Sequence, residues 1–117
     1  MKKHLEIYEQ FDVVAVMFPF SDSAQVKLRP ALVLSADTAF NLGSGCYVLA
    51  MITTAEHSAW PLDCNILHLE PAGLSVPCLI RMKLFTLDAA LISKKLGHLS
   101  RIDCMAVRKN LRQLLAA

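Results

Sequence analysis

Short apolar segments, rich in β-branched and aromatic residues and ended by proline, glycine or polar residues, recur along most of this chain. The first, residues 12–20, closes soon after a proline and has the profile of a buried strand. Residues 31–35 and 46–53 have the same character and predict a second and a third strand. Residues 21–30, between the first two, are mostly polar and predict a long loop. The first half of the chain is therefore predicted to consist of strands joined by loops.

The second half continues the pattern less regularly. Residues 65–69 alternate weakly between apolar and polar side chains, which predicts a short strand, and residues 77–85 predict a longer one. Residues 91–99 fit either a strand or a short helix. Gly97 favours the strand, because glycine destabilises the interior of a helix. These segments bring the predicted number of short strands to five or six.

The last segment alone predicts a helix with a defined start. Ser100 is a favourable N-cap residue, and Asp103 follows it at the third position, where a carboxylate suits the start of a helix. Apolar residues then recur at helical spacing with cations on the opposite side, namely Cys104, Val107, Leu111 and Leu114 against Arg108, Lys109 and Arg112. Several short strands and one terminal helix predict a mainly β fold with short helices, built as a small antiparallel barrel or sandwich.

Length and composition exclude several classes of protein. The chain has 117 residues, enough for one domain over residues 1–117, and 55% hydrophobic against 19% charged residues excludes global disorder. The longest apolar stretch, residues 13–20, is far shorter than the roughly 20 residues of a spanning helix. Acidic residues interrupt any apolar core of a signal peptide near the start. We therefore expect a cytoplasmic protein without a membrane partner.

The cysteines do not follow a metal-binding or disulfide pattern. Cys46, Cys64, Cys78 and Cys104 are irregularly spaced, and a cytosolic chain keeps its thiols reduced. The spacing of Cys64 and His68 is the one metal-like feature, but a second pair of ligands is missing. A pair of buried or half-buried strand residues is the more common explanation of such a spacing. The sequence therefore predicts no metal site and no cofactor.

Candidate site residues lie beside the predicted loops. Arg29 precedes a proline and is expected to be extended, with a planar guanidinium suited to phosphate, although a simple surface cation is the commoner outcome. Thr53 and Thr54 end the third strand, where a hydroxyl can bind a ligand oxygen or cap a turn. His57, in the next loop, can titrate near neutral pH or be simply solvated. Trp60 can stack on a base or hold its loop in place.

Positive charge is concentrated in the last third of the chain. The formal net charge is only +2, which permits a polyanionic partner without requiring one. In the strand predicted for residues 77–85, Arg81, Lys83 and Phe85 share one face because side chains alternate along a strand. Arg81 and Lys83 are therefore candidates for binding phosphate groups.

Several of these segments together resemble a known family. The sequence reads FDVVAV at residues 11–16, FPF at residues 18–20 and LRPALVLS at residues 28–35, and these strings closely resemble the opening of the MazF/PemK toxins of bacterial toxin–antitoxin systems. Three later segments fit in the same order, namely AMITT at residues 50–54, LIRMKLFTLD at residues 79–88 and KLGHLS at residues 95–100. The resemblance spans roughly residues 8–115.

This resemblance implies an SH3-like β-barrel with a C-terminal helix, a homodimer, and an endoribonuclease that needs no metal and is held in check by a cognate antitoxin. The family's catalytic arginine before proline falls on Arg29, and its threonine after the third strand falls on Thr53. Arg81 matches the second arginine of the PemK branch. The implied reaction cleaves single-stranded RNA through attack by its own 2′-hydroxyl, which leaves a 2′,3′-cyclic phosphate and a 5′-hydroxyl. Lys83, Thr54 and His57 are then expected to bind RNA together with Arg81.

The chain departs from the family pattern at two positions. The usual Gly-Asp opening is Phe11-Asp12 here, and the PemK-branch carboxylate two residues past the fifth-strand arginine is replaced by Lys83. The second departure removes a proposed general base. It leaves open a different class of function on the same fold, a non-catalytic module that binds gyrase or an antitoxin.

Overall fold

The computed structural model describes residues 6–17, 27–56 and 59–117. Six strands form one sheet in the spatial order β4-β5-β3-β2-β1-β6, and all neighbouring pairs are antiparallel. The strands are β1 (Asp12–Met17), β2 (Leu28–Val33), β3 (Cys46–Thr54), β4 (Cys64–Asn65), β5 (Cys78–Asp88) and β6 (Ile92–His98). The helices are a π-helical turn (Asp37–Asn41), α1 (Leu42–Ser44), a 3₁₀ turn (Ala89–Leu91) and α2 (Arg101–Leu115).

The mainly β architecture with a C-terminal helix is as predicted. The predicted barrel is not closed, because β4 and β6 lie at opposite edges of the sheet and do not pair with each other in the described part of the chain. The strand predicted within residues 91–99 is confirmed as β6, and the helix starts at its expected N-cap. There the Ser100 hydroxyl accepts a hydrogen bond from the Asp103 amide at 3.2 Å.

The second strand differs from its predicted position. It starts at Leu28 rather than at residue 31, because Arg29 pairs with Val16 and Pro30 with Ala15 across β1. The pairing with β3 begins only at Ala31, so Pro30 pairs only with β1 and its missing N–H is tolerated. The predicted loop over residues 21–30 is therefore too long at its end. Residues 18–26, which include the predicted end of the first strand, lie outside the described residues.

The strand predicted at residues 65–69 is also wrong in extent. Only Cys64–Asn65 form β4, and the Ile66 amide still donates to the Cys78 carbonyl at 3.0 Å, but the two amides after it turn to a side chain. The amides of Leu67 and His68 each donate to the carboxylate of Asp103 at 3.0 Å. Asp103 is 1% exposed and lies in the first turn of α2. The helix N-terminus thus redirects this segment away from the sheet.

Apolar side chains fill both faces of the sheet, which explains why so many strands read as continuously hydrophobic. One cluster lies under α2 and includes Leu32, Ile80 and Val107, all fully buried. The other lies on the opposite face, because its members Val14 and Val33 are sequence neighbours of residues in the first cluster. The sheet is therefore the central layer of the molecule.

The structure explains how a phenylalanine is accommodated at position 11, one of the two departures from the family pattern. Its φ of +70° lies in the left-handed region that favours glycine, so this residue of the turn carries a backbone cost of about 1–2 kcal/mol. The side chain is only 2% exposed in the core under α2, and the guanidinium of Arg108 lies 4.9 Å from its ring centre. Burial of the ring offsets the strained backbone.

Two glycines fix the segment that precedes β5 against β6. A Cβ on Gly73 would lie 2.1 Å from the carbonyl oxygen of Leu96, and a Cβ on Gly97 would lie 2.3 Å from that of Pro71. Gly73 also has a φ of +73°. The amide of His98 donates to Pro71 at 2.9 Å. Only glycine permits this close approach of the two backbones.

The thiols predicted to be buried are confirmed for three of the four cysteines. Cys64, Cys78 and Cys104 are buried in the cluster under α2, and Cys46 is half-buried. Burial raises the pKa of all three buried thiols, with the charge of Asp103 adding to this effect at Cys64.

His68, the possible metal partner of Cys64 in the sequence, places its Nδ1 2.7 Å from the Ser100 hydroxyl. None of the described helices has the length and apolar character needed to cross a membrane.

Candidate functional site

The strand register brings Arg29 and Thr53 to neighbouring positions. The pairs between β2 and β3 run from Val33 with Leu49 to Ala31 with Met51. Arg29 and Thr53 each lie two residues beyond the last pair, on the faces of β2 and β3 that carry Ala31 and Met51. Although they are 24 residues apart in sequence, both side chains line the same cavity at these strand ends.

These residues line an open cavity of about 390 Å³ at the end of β2 and β3. Arg29 is exposed, and Thr53 and Thr54 are half-buried. The opposite wall comes from the segment that the two glycines hold against β6, and it contributes Gly73, Leu74, Ser75 and Val76. The cavity is therefore a cleft between strand ends and a fixed loop, with a cation at its rim.

Hydroxyl groups and one guanidinium supply the polar chemistry of the cavity. Thr53, Thr54 and Ser75 offer hydroxyls that donate to an anionic oxygen, and no carboxylate among the described residues pairs with Arg29. Cys78 also lines the cavity, but burial raises the pKa of its thiol and so disfavours a thiolate. The described lining contains neither a carboxylate nor an imidazole. The arrangement suits binding and stabilising a phosphate rather than accepting a proton.

Sequence reasoning identified Arg29, Thr53 and Thr54 but missed Ser75. Ser75 lies in the polar turn after Gly73, and nothing in the local pattern distinguishes it from an ordinary loop serine. The positive φ at Gly73 cannot be inferred from the sequence, since glycine occurs in many kinds of turn. The wall that presents Ser75 is recognisable only once the contact with β6 is known.

Arg81 does not line the cavity, although it lies close to it. Its guanidinium forms a two-pronged pair with Asp63, from Nε to Oδ1 at 3.1 Å and from Nη2 to Oδ2 at 2.9 Å. The side chains of Arg81 and Asp63 are 11% and 16% exposed. The pair holds the pKa of Asp63 below its usual range, chiefly through the Arg81 hydrogen bonds. Arg81 is thus paired with a carboxylate that directly precedes β4, the strand at the edge of the sheet next to β5.

Lys83 and Trp60 form a second contact beside this pair. The Lys83 Nζ lies 4.4 Å from the centre of the indole ring, a cation–π distance. Asp63 also fixes the turn that carries the tryptophan, because its Oδ2 accepts from the Trp60 amide at 2.9 Å and its own amide donates to the Trp60 carbonyl at 3.1 Å. Asp63 therefore joins Arg81 to the Trp60 turn.

Two other predicted or polar groups lie apart from the cavity. His57 falls outside the described residues, so its place in the site stays a prediction. Asp12, which is 1% exposed, binds His98 Nδ1 at 2.8 Å and Lys95 Nζ at 3.3 Å, and accepts from the Glu9 amide at 2.8 Å. This carboxylate links the start of β1 to β6 and does not line the cavity.

The fold is that of the MazF toxins. A MazF from Deinococcus radiodurans shares it with a TM-score of 0.72 at 23% identity, over 96% of this chain and 99% of that one. An endoribonuclease of a mycobacterial species, solved with its cognate antitoxin, gives 0.73 at 16% identity, over 93% and 95%. The Mycobacterium tuberculosis toxin MazF-mt6 gives 0.70 at 15% identity, over 90% and 96%.

The family follows from the sequence as well as from the fold. The model of the PemK-like, MazF-like toxins of type II toxin–antitoxin systems matches residues 9–115. The chain therefore belongs to this toxin family, which confirms the resemblance seen in its opening strands. Comparison with curated protein sequences gives no significant match.

Proposed function

We propose that this type II toxin is an endoribonuclease that cleaves single-stranded RNA without a metal ion, in the cytoplasm. The observation that carries the proposal is the meeting of Arg29 and Thr53 in one open cavity. The resemblance to toxins named endoribonucleases supports it. In the proposed reaction the substrate's 2′-hydroxyl loses its proton and its oxygen bonds to the adjacent phosphorus, while the bond from phosphorus to the 5′-oxygen breaks. The leaving oxygen takes up a proton from solvent, which gives a 2′,3′-cyclic phosphate and a 5′-hydroxyl.

Arg29 is the residue to which we assign stabilisation of the transition state. Charge accumulates on the non-bridging oxygens as the phosphorane forms, and a planar guanidinium can donate two hydrogen bonds to them. Thr53 holds a non-bridging oxygen from the neighbouring strand, and Thr54 and Ser75 bind the adjoining backbone. Arg29 is a poor proton acceptor because the pKa of arginine exceeds about 12. The acceptor is solvent or a group outside the described lining, where His57 remains a candidate RNA-binding residue.

Arg81 and Lys83 are assigned to RNA binding rather than to proton transfer. The register pairs Thr53 with Leu79 and Met51 with Arg81, so Arg81 lies diagonally across from Thr53 on the same face. Lys83 replaces the carboxylate expected in the PemK branch and cannot act as its base. Both cations lie on β5, the strand next to β3, and we assign them to phosphates that flank the cleavage site.

A single incubation tests the reaction. The purified protein is mixed with RNA of mixed sequence in EDTA, and the new ends are analysed chemically. We expect 2′,3′-cyclic phosphates and 5′-hydroxyls from the wild-type protein and loss of cleavage in Arg29→Ala. Intact RNA after incubation with folded wild-type toxin would favour the alternative, a non-catalytic module that binds gyrase or an antitoxin, and gyrase binding by the same preparation would establish it.

We further propose that the toxin is a homodimer and that its cognate antitoxin covers the cavity with an acidic segment. Arg29 at the cavity rim attracts carboxylates as readily as phosphates. The presence of an antitoxin in a structure of similar fold supports a protein inhibitor. Sedimentation at micromolar concentration tests the dimer. Competition between RNA and antitoxin tests the shared surface, and simultaneous binding of both would contradict it.

A further inference from the structure

We propose that Trp60, Lys83 and Asp63 form a nucleotide-binding subsite beside the cavity, in which the indole stacks on an RNA base and Lys83 binds a phosphate. The inference rests on the proposed ribonuclease function and assigns a role in substrate recognition to residues that do not line the cavity. Trp60 is 43% exposed, so a large part of its ring surface is open to a ligand. An exposed aromatic ring beside cations is the arrangement that binds single-stranded nucleic acid with little regard to sequence.

The sheet register places this subsite along the path that RNA would follow from the cavity. β5 lies next to β3, and the row that contains Met51 and Arg81 adjoins the row that contains Thr53. The pairing of Cys64 with Ile80, continued by one residue, puts Asp63 opposite Arg81. Lys83 lies on β5, the strand next to β3, four residues along from Leu79, which pairs with Thr53, and Asp63 lies on the far side of β5. The subsite is therefore roughly 10–15 Å from Thr53 along the sheet, a separation that suits a nucleotide flanking the scissile phosphate.

Asp63 acts as a positioning residue in this subsite. Its carboxylate accepts from the Trp60 amide and from both prongs of Arg81, so one side chain fixes the aromatic turn to the sheet. The turn that presents the indole is thereby held before RNA binds, which reduces the entropy lost on stacking. Lys83 already lies over one face of the ring, so in the proposed subsite the base stacks on the opposite face and the ammonium binds a phosphate from its own side.

The chain offers a direct probe, because Trp60 is its only tryptophan. The protein is titrated with a degenerate single-stranded RNA octamer carrying 2′-O-methyl groups, which remove the attacking hydroxyl and prevent cleavage. A parallel titration uses an abasic octamer, which has the same phosphates but no bases. We expect the octamer with bases to quench the tryptophan emission and the abasic octamer to bind with much less quenching. Equal quenching by both, or binding of the octamer with no change in emission, would overturn the proposal.

Variants separate stacking from general binding. Trp60→Ala should raise the Kd for labelled octamer about 5- to 100-fold, the range expected for losing one stacked base, while Trp60→Phe restores most of the affinity. Phe40→Ala is the matched control, since Phe40 is similarly exposed at 38% but lies in the π-helical turn. Lys83→Ala should weaken binding and lower the slope of log Kd against log salt by about one. Asp63→Ala should reduce the difference in quenching between the two octamers.

The outcomes distinguish the subsite from the proposed activity. Cleavage by the wild-type toxin that depends on Arg29 but is unaffected by Trp60→Ala in both kcat and KM would overturn the subsite and leave the ribonuclease in place. Cleavage with a raised KM and a nearly unchanged kcat in Trp60→Ala would support it. Failure of the wild-type toxin to bind or cleave any RNA would overturn both.

Discussion

Two arginines on the same face of the sheet are held in opposite ways. Arg29 is exposed at the rim of the cavity, and none of the described carboxylates pairs with it. Arg81 is 11% exposed, and its guanidinium forms a two-pronged pair with Asp63. A guanidinium that no described carboxylate holds is available to a phosphate, whereas one already paired must exchange its carboxylate for the ligand. Position relative to an acidic neighbour, and not residue type, separates the proposed catalytic arginine from the one that a carboxylate holds in place.

The largest expected effect is at Arg29. Arg29→Ala should lower the single-turnover cleavage rate by a factor on the order of a hundred or more, because the developing charge of the phosphorane loses its partner. Binding should suffer less. Arg29→Lys should recover only part of the rate, since an ammonium lacks the planar fork. The measurement is cleavage of a short RNA under single-turnover conditions with folding checked by thermal melting. A folded Arg29→Ala protein that cleaves at the wild-type rate would remove Arg29 from the mechanism.

The wall opposite Arg29 offers a second test. Gly73→Ala should destabilise the protein by more than about 1 kcal/mol, because it combines a positive φ with a Cβ placed 2.1 Å from a backbone oxygen. The cleft should widen and cleavage should slow. Gly43→Ala is the matched control, since a Cβ there meets nothing within 4 Å. Chemical denaturation measures the free energy of unfolding of both variants. Equal stability of the two variants would show that the wall adapts to the added methyl group.

The contrast between the arginines also predicts their effects on stability. Arg81→Ala should lower Tm by several degrees more than Arg29→Ala, because it leaves the mostly buried Asp63 carboxylate without its guanidinium. An exposed cation such as Arg29 usually changes the free energy of unfolding by less than about 0.5 kcal/mol. Differential scanning fluorimetry compares the two variants directly. A Tm for Arg81→Ala equal to that of Arg29→Ala would mean that the pair is not structural.

The smallest expected effect is a pH dependence of the Asp63–Arg81 pair. The pKa of Asp63 is lowered in the folded protein, so the stabilising contribution of the pair is present above the ordinary Asp pKa of about 3.9 and is lost as pH falls through the lower folded value. Trp60 emission reports this loss, because Asp63 holds the Trp60 turn. We expect a change in emission below about pH 4 in the wild type. Asp63→Asn should show no such transition. A pH profile of Asp63→Asn identical to that of the wild type would assign the transition to another group.

The sequence predicted some elements well because their signals are local. The N-cap at Ser100 and the apolar stripe of α2 are recognisable from adjacent residues, and so is the alternation on β5. The start of β2 was missed because pairing of Arg29 with Val16 depends on a neighbouring strand and not on the polar character of residues 28–30. Long-range pairing overrides local propensity at such a strand end.

The candidate site divides in the same way. Arg29 and Thr53 were identified through the family pattern, and their common cavity follows from the β2–β3 register. The partnership of Asp63 with Arg81 was not foreseen, because an aspartate 18 residues before an arginine has no distinctive spacing. The end of β4 was missed for a similar reason, since the carboxylate that takes up the amides of Leu67 and His68 comes from α2. Contacts between distant segments are not encoded in any local period.

Alkylation of the buried thiols can report how often this protein opens. Cys64, Cys78 and Cys104 are spread over β4, β5 and α2 but belong to one apolar cluster. A thiol reagent reacts with the thiolate, and burial both raises the pKa of each thiol and excludes the reagent. Cys78 lines the cavity, but modification of Cys64 and Cys104 must await separation of the helix from the sheet. The rate at which these two thiols are alkylated in the native protein then measures how often that layer opens, and shows whether RNA or antitoxin keeps it closed.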